Sequence, residues 1–502
     1  MTLHDVLGRW AQIQPGKTAL HFRGEDISYA DLAQRVVRTS DTLRGELGIQ
    51  RGDRVAYLGY NRPEMLVLLF GLARIGAMLL PLNFRLAPAE HRTILDDAKP
   101  KALIAGPEFV KAAQSLRPAL PAMRMMSIGA EVDDFASWDA MVGVTPQQIS
   151  DLGQARDPVL LVYTSGTTGR PKGAVHTQEA LIWNAINAVH CHDLTSADHV
   201  LTVLPMFHVG GLCIQTVPAL YAGASVTLHE RFDAAHWLAD VAVRRPTLSL
   251  LVPATIKAVL EHDRWLTSDL SSLRALYTGS STVPDALFAP FHARGIPLGQ
   301  VYGATETGPV SIYLRSEDAM RKAGAAGRAA LHADIRLVDR TGRDCGAGEV
   351  GEIWVRAPNV MQGYWNEAPG SGFAGGWFKT GDLARMDEDG FYWVVGRSKD
   401  MIISGGENIY PAEIENVLAE CPDILEAAVI GMPDEHWGEV VVAAVVRKPD
   451  SVLDAAGIVR LLTGRLARFK QPRRVVFLSS LPKNALGKIQ KPALKEAIGA
   501  LS

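Results

Sequence analysis

Tyr163–Gly173 reads Tyr-Thr-Ser-Gly-Thr-Thr-Gly-Arg-Pro-Lys-Gly, the stretch of the chain densest in small, hydroxylated and flexible residues beside positive charge. Gly166, Gly169 and Gly173 let the backbone turn and approach a ligand closely. Thr164, Ser165, Thr167 and Thr168 add hydroxyl donors among the free amides, with Arg170 and Lys172 as the cations. Such a set can cradle phosphate. The apolar run Val159–Val162 before it reads as a buried strand and a helical pattern begins near Thr177, so the loop is expected at a strand-to-helix corner. The plainer reading is an ordinary surface turn. A Walker phosphate loop does not account for it, because counting from Gly166 the second glycine and the Lys-Ser/Thr pair fall at the wrong offsets.

The same stretch resembles the signature loop of the adenylate-forming (ANL) superfamily, which includes acyl-CoA synthetases, luciferases and peptide-synthetase adenylation domains. Four more motifs follow in that family's order, so the resemblance spans nearly the whole chain. Tyr302-Gly-Ala-Thr-Glu-Thr307 resembles the second nucleotide motif. It implies adenine against Tyr302, the α-phosphate near Thr305 and magnesium held by Glu306, types that suit base stacking and a hard cation. Trp377-Phe-Lys-Thr-Gly-Asp382 implies that Asp382, an acid read as lying at a turn, takes both ribose hydroxyls. Alone, Glu306 would be a solvated loop acid and Thr-Gly-Asp a common turn. In Gly396–Glu415 the resemblance assigns Arg397 to the ribose, Lys399 to a hinge, and Gly405 and Gly406 to the passage of the pantetheine arm of coenzyme A. Pro482–Lys488 resembles the terminal motif, whose last lysine, here Lys488, stabilises the meeting of a carboxylate with the α-phosphate.

The likeness is greatest to bacterial aromatic and medium-chain acyl-CoA ligases. From them follow an ATP contact at Gly279, coenzyme A contacts at Arg85, Trp437, Phe469 and Arg473, and a departure at Gln471, which stands where arginine is expected. The same likeness assigns the acyl pocket to Trp183, Asn187, His208, Val209, Tyr277–Ser280, Val301 and Gly303. His208 is implied as a wall near the reacting carboxylate, with no acid or base role required of it. The set is mostly apolar and offers no cation to a second carboxylate, which favours an aromatic or medium-chain monocarboxylic acid. ATP, magnesium and coenzyme A are the implied cofactors. Two other readings are an adenylation enzyme that loads a carrier protein and a catalytically inactive nucleotide-binding scaffold; no carrier domain follows Lys488, and Thr305, Glu306, Asp382, Arg397 and Lys488 are all present.

These residues need a scaffold of at least two domains, since 502 residues exceed one comfortable core. Strand candidates at 101–104, 200–204, 225–228, 247–252 and 273–277 alternate with helical patterns such as 234–243, which implies largely parallel sheets covered by helices. After about Asp334 the segments shorten and alternate, as in a β-rich unit, and from Gly396 the last hundred or so residues read as a separate α+β domain. The expected class is therefore α/β: an AMP-binding domain over 1–397 with parallel-rich sheets and a small β-rich subdomain, a hinge at 398–400, and a small mobile α+β domain over 401–502.

A net charge of −3 supplies no attraction for nucleic acid or an anionic membrane. Met65–Leu82 is long enough to span a bilayer, but Arg74 in its middle and the glycines at 71 and 76 split it into a buried helix to about Arg74 and a strand ending at Pro81. Met1–Pro15 lacks the apolar core of a secretory leader, and four scattered cysteines suggest neither zinc nor disulfides, so a cytoplasmic protein is expected. Its partner is a small carboxylic acid, and a homodimer is among the assemblies the sequence admits.

Overall fold

The computed structural model describes residues 1–120, 123–129, 135–142, 152–164, 171–279, 283–405, 407–484 and 488–500. Its layers are α/β throughout. Among the described residues, one sheet of nine strands has at its centre the parallel run Ser225–Leu228, His199–Thr202, Leu248–Leu251, Ala275–Gly279 and Leu298–Tyr302. A second sheet, of eight strands, carries Arg54–Leu58, Met78–Pro81, Ala102–Ala105 and Pro158–Thr164 in parallel at its middle. The helices Tyr29–Gly45, Pro63–Ile75 and Gln178–His192 lie against both, and one apolar core takes residues from the two sheets and these helices together.

The apolar run at 65–82 divides as its glycines and arginine dictate. Pro63 starts the helix and Gly76, at φ 74°, ends it in a left-handed cap whose amide reaches back to Leu72 and Ala73. Arg74 is buried, but its guanidinium donates to Ser40 Oγ at 2.6 Å and Asp41 Oδ1 at 2.8 Å, so the charge is compensated inside the fold. Among the described residues no helix is long and apolar enough to cross a membrane.

Residues 334–397 build the antiparallel unit, with Val350–Arg356 and Trp377–Met386 side by side and Tyr392–Arg397 along the latter. Asp382 belongs to that long strand rather than to a turn, which corrects the reading of Thr-Gly-Asp: Gly381, at φ 71°, is absorbed as a local irregularity and the ladder continues. Beyond it, the hairpin Ile424–Asp434 and Gly438–Arg447 has a core on each face, one under the helices Pro411–Ala419 and Ala455–Leu462 and one under Lys491–Gly499. Among the described residues these two cores take no member from before Ile402.

Candidate active site

The adenosine side of the site is built by strand register. Asp382 pairs directly with Arg397 across the antiparallel ladder, so Arg397 Nε donates to Asp382 Oδ1 at 2.9 Å. Tyr302, the last residue of its parallel strand, donates from Oη to Asp382 Oδ2 at 2.9 Å. Both oxygens of a nearly buried carboxylate are thus occupied. Asp382 holds the Arg397 guanidinium charged against the cost of its burial, while burial and then the Asp382 charge push the Tyr302 phenol far up. Gly279 ends the neighbouring strand opposite Val301. At Gly303 a Cβ would lie 1.8 Å from Pro309 O, so only glycine lets the chain turn here from the strand into the Thr305–Thr307 corner.

That corner presents Glu306, whose Oε1 accepts from Tyr364 Oη at 2.9 Å and lies 3.5 Å from Thr164 Oγ1. Thr305 is buried at 6% exposure, close above His176, whose ring is fully buried and pushed down to about 4 by that burial. Among the described residues no group of three or more histidines, cysteines or acids could hold a metal unaided. One carboxylate beside hydroxyls suits magnesium that takes most of its ligands from phosphates and water. Thr164 ends the strand Pro158–Thr164, and Lys172 begins the antiparallel partner Lys172–Thr177. The stretch between is therefore the connection of a hairpin, not a strand-to-helix corner, and the helix follows only after that second strand. Ser165, Gly166, Thr167, Thr168 and Gly169 lie outside the described residues. Lys172 stands 3.5 Å from Glu367 and 5.1 Å from the centre of the Tyr364 ring.

Lys488 arrives from the far end of the chain. Lys483 bridges Ile489, and Asn484 exchanges hydrogen bonds with the backbone of Lys488, so the residue sits at the base of a small hairpin. It keeps contact with solvent, yet protein crowds its ammonium and lowers its pKa from 10.5; Arg397 lowers it further, while Asp382 and Glu306 oppose both. The same ammonium helps to depress His208, which burial brings down to about 4. His208 caps the following helix, its Nδ1 accepting from Gly210 N at 3.1 Å, so the neutral ring carries its proton on Nε2. Lys488 thus feels the charges of Arg397, Asp382 and Glu306, and His208 that of Lys488, across the division between the two halves of the chain. Lys257 Nζ, donating to Leu425 O at 3.1 Å, spans the same division.

The residues assigned to coenzyme A divide. Gly405, at φ 59°, has a conformation and a space that exclude a side chain: a Cβ would lie 2.7 Å from the Trp437 ring. The Arg473 guanidinium covers that ring at 4.5 Å, and Trp437 is 37% exposed. Gly405, Trp437 and Arg473 therefore form one surface cluster, away from the small hairpin that carries Lys488. Phe469 is exposed on the short turn Arg468–Lys470, Arg85 lies over Phe84 on the N-terminal half, and Gly406 is outside the described residues. Lys399 is exposed in the turn Ser398–Asp400 that links the halves.

Of the pocket residues, Val209 and Val301 are buried and Trp183 and Asn187 share a stripe of the helix Gln178–His192. Tyr277 is fully buried and donates to Cys191 O at 3.0 Å, and Ser280 lies outside the described residues. Sequence reasoning missed Tyr364, which orients Glu306, and His332, whose ring packs on Trp183 at 5.0 Å. Neither carries a local signal, because each is recruited by a partner distant in the chain. It also missed Asn61, buried and bonded to Leu204 O, Met206 N and His229 O, which clamps the segment leading to His208.

Residues 7–365 match the family of AMP-binding enzymes, and residues 413–488 match the C-terminal domain of the same enzymes. The chain is 48% identical over 502 residues to an indoleacetate–CoA ligase of Aromatoleum aromaticum, covering 99% of this chain and 98% of that one. The crystal structure of an anthranilate CoA ligase in complex with anthranoyl-AMP superposes with a TM-score of 0.92 at 29% identity, covering 100% of this chain and 98% of that one. An o-succinylbenzoate coenzyme A synthetase of Bacillus subtilis in complex with ATP and magnesium gives 0.87 at 31% identity, covering 98% and 99%.

Proposed function

The chain belongs to the AMP-binding enzyme family, and on that premise we propose that it is an AMP-forming acyl-CoA ligase that activates an aromatic monocarboxylic acid. The observation that carries this reading is the convergence of Lys488 with Arg397, Asp382, Glu306 and His208. That grouping supports a reading in which one positive charge, brought by the C-terminal domain, meets two anions.

In the first half-reaction a carboxylate oxygen attacks the α-phosphorus of ATP; an O–P bond forms, the Pα–O bond to the β-phosphate breaks, and pyrophosphate leaves. Tyr302 supplies a face for adenine, and Asp382, oriented by Arg397, accepts from the ribose hydroxyls. Glu306 is the residue to hold magnesium, which when bound offsets the charge of the phosphates. Lys488 lies between the developing charges on carboxylate and phosphate, and His208, kept neutral, lets the carboxylate approach without trapping it in an ion pair. The phosphates leaving as pyrophosphate fall to the Thr164–Lys172 hairpin.

In the second half-reaction the thiol of coenzyme A attacks the acyl carbonyl; a C–S bond forms and AMP leaves with the electrons of the C–O bond. This step uses the Gly405, Trp437 and Arg473 cluster, with Phe469 and Arg85 as further contacts. Because that cluster and Lys488 occupy different hairpins of one small domain, the two steps call for two orientations of residues 401–502 about the turn at Lys399, with 1–397 as the fixed part. Four free cysteines fit a reducing, cytoplasmic setting.

Pyrophosphate release from MgATP with a panel of benzoates, arylacetates, cinnamates and straight-chain acids, followed by thiol consumption on adding coenzyme A, tests the reading. Aromatic acids are expected to lead in kcat/KM. No release with any acid would refute the enzyme class, and transfer to a carrier protein but not to coenzyme A would refute the acceptor.

A further inference from the structure

We infer that Lys257 is a positioning residue for Lys488: its bond to the C-terminal half holds the terminal lysine in the orientation that serves the first half-reaction, and it breaks before the second; this rests on the ligase reading above. Lys257 stands on the helix Pro253–Leu260, which follows the core strand Leu248–Leu251 and is seated by the buried Ile256 and Val259. Its ammonium therefore extends from a fixed part of the N-terminal half. The bond it makes is prepared by an irregularity in the facing hairpin. Where Ile424–Asp434 pairs with Gly438–Arg447, Ile424 opposes Arg447 and Glu426 opposes Val446, so Leu425 is a bulge with no residue across from it. That strand is also the edge of its sheet. The Leu425 carbonyl is thus left to a donor from outside the ladder, and Lys257 Nζ donates to it at 3.1 Å.

The same strand fastens the hairpin of Lys488 from both sides. Before it, Lys483 Nζ donates to Glu426 Oε1, beside the bulge. After it, Lys491 Nζ donates to Val429 O at 3.0 Å and to Glu415 Oε1 at 2.9 Å, and Glu415 Oε1 also accepts from Val429 N at 2.8 Å. A continuous path therefore runs from the N-terminal core through Lys257, Leu425, Glu426 and Lys483 to Lys488. In this docked orientation the charges of Arg397, Asp382 and Glu306 reach Lys488. Leu425 travels with residues 401–502 and Lys257 does not, so rotation about the turn at Lys399 pulls the donor and the carbonyl apart. Glu261, one helical turn on, stands 3.9 Å from Lys257 Nζ and can take the ammonium when the carbonyl leaves.

The test measures pyrophosphate release from MgATP with the leading acid of the panel above, and thiol consumption from the supplied acyl-adenylate, in Lys257→Met, which keeps the apolar stem and removes the donor. The kcat of pyrophosphate release is expected to fall about three- to tenfold with KM for ATP unchanged, the range of one charged hydrogen bond at a partly exposed site. Thiol consumption is expected to stay at or above wild type. Lys257→Arg, which restores a donor, should return pyrophosphate release to within about twofold, and Lys483→Met, at the other end of the path, should repeat the pattern of Lys257→Met. Added to Lys488→Met, the Lys257→Met change should cost less than about twofold, because no ammonium is left to place. Equal loss of both half-reactions, unchanged pyrophosphate release in Lys257→Met, or full additivity in the double variant overturns the inference. Absence of pyrophosphate release from wild type with every acid refutes the ligase reading beneath it.

Discussion

Replacing Lys488 by methionine keeps the length and the apolar stem of the side chain and removes the charge. The ammonium stands among Arg397, Asp382 and Glu306, a set in which one cation and two anions already nearly balance it, so the fold loses little when it goes. The transition state loses more. Attack of a carboxylate on a phosphate brings negative charge to a place where Lys488 is the group free to meet it, and removing one preorganised donor of this kind costs about 2.7–4 kcal/mol, or 10²–10³ in rate. Pyrophosphate release is therefore expected to fall by about that factor, while conversion of a supplied acyl-adenylate to thioester stays within about threefold of wild type. The lowered pKa adds a second signature. Because crowding by protein and the Arg397 charge favour the neutral amine, the charged form disappears below the ordinary lysine value of 10.5. Adenylation should then decline on the alkaline side at a pH below that value, and Lys488→Arg should move the decline upward. The readouts are pyrophosphate release and thiol consumption as functions of pH. Equal loss of both half-reactions in Lys488→Met, or an alkaline limb common to both, would refute the reasoning.

Asp382→Asn removes the charge that holds Arg397 and one acceptor of the Tyr302 hydroxyl; because the Arg397 side chain is half exposed, we expect about a tenfold rise in KM for ATP rather than collapse of the fold, read from initial rates beside a thermal melt. Gly405→Ala drives a Cβ to 2.7 Å from Trp437 at a φ of 59°, so thioester formation should slow at least tenfold and KM for coenzyme A should rise, with pyrophosphate release kept. Lys399→Pro stiffens the linking turn and is expected to preserve acyl-adenylate formation while slowing the second step; equal loss of both, measured by the same two assays, would count against a hinge there.

Much of the scaffold was legible because the signals were local. Ser225–Leu228 falls where the β-branched run places it, and the helix Ala234–Arg244 exceeds its expected span by one residue. The split of 65–82 into helix and strand follows from Gly76 and the partner of Arg74. The misreadings share a cause. Thr-Gly-Asp in isolation is a turn, and only the neighbouring strands Val350–Arg356 and Tyr392–Arg397 keep Asp382 extended. Lys172–Thr177 has too few consecutive apolar residues to announce a strand after the phosphate stretch, and pairing with Pro158–Thr164 makes it one.

By itself, then, the sequence determined the kinds of groups present and their order: a glycine and hydroxyl loop, an aromatic with an acid, a second acid, a glycine pair and a terminal lysine, on an alternating α/β frame. Those are properties of short stretches, where spacing and side-chain chemistry are enough. The tertiary structure decided which of them meet. Only strand register sets Arg397 against Asp382, only the packing of a helix against a distant turn puts His332 on Trp183, and only the docking of the C-terminal half brings Lys488 to within the charge of Glu306 and near His208. Each of those contacts joins residues far apart in the chain, and its energy comes from burial and charge that no local window contains.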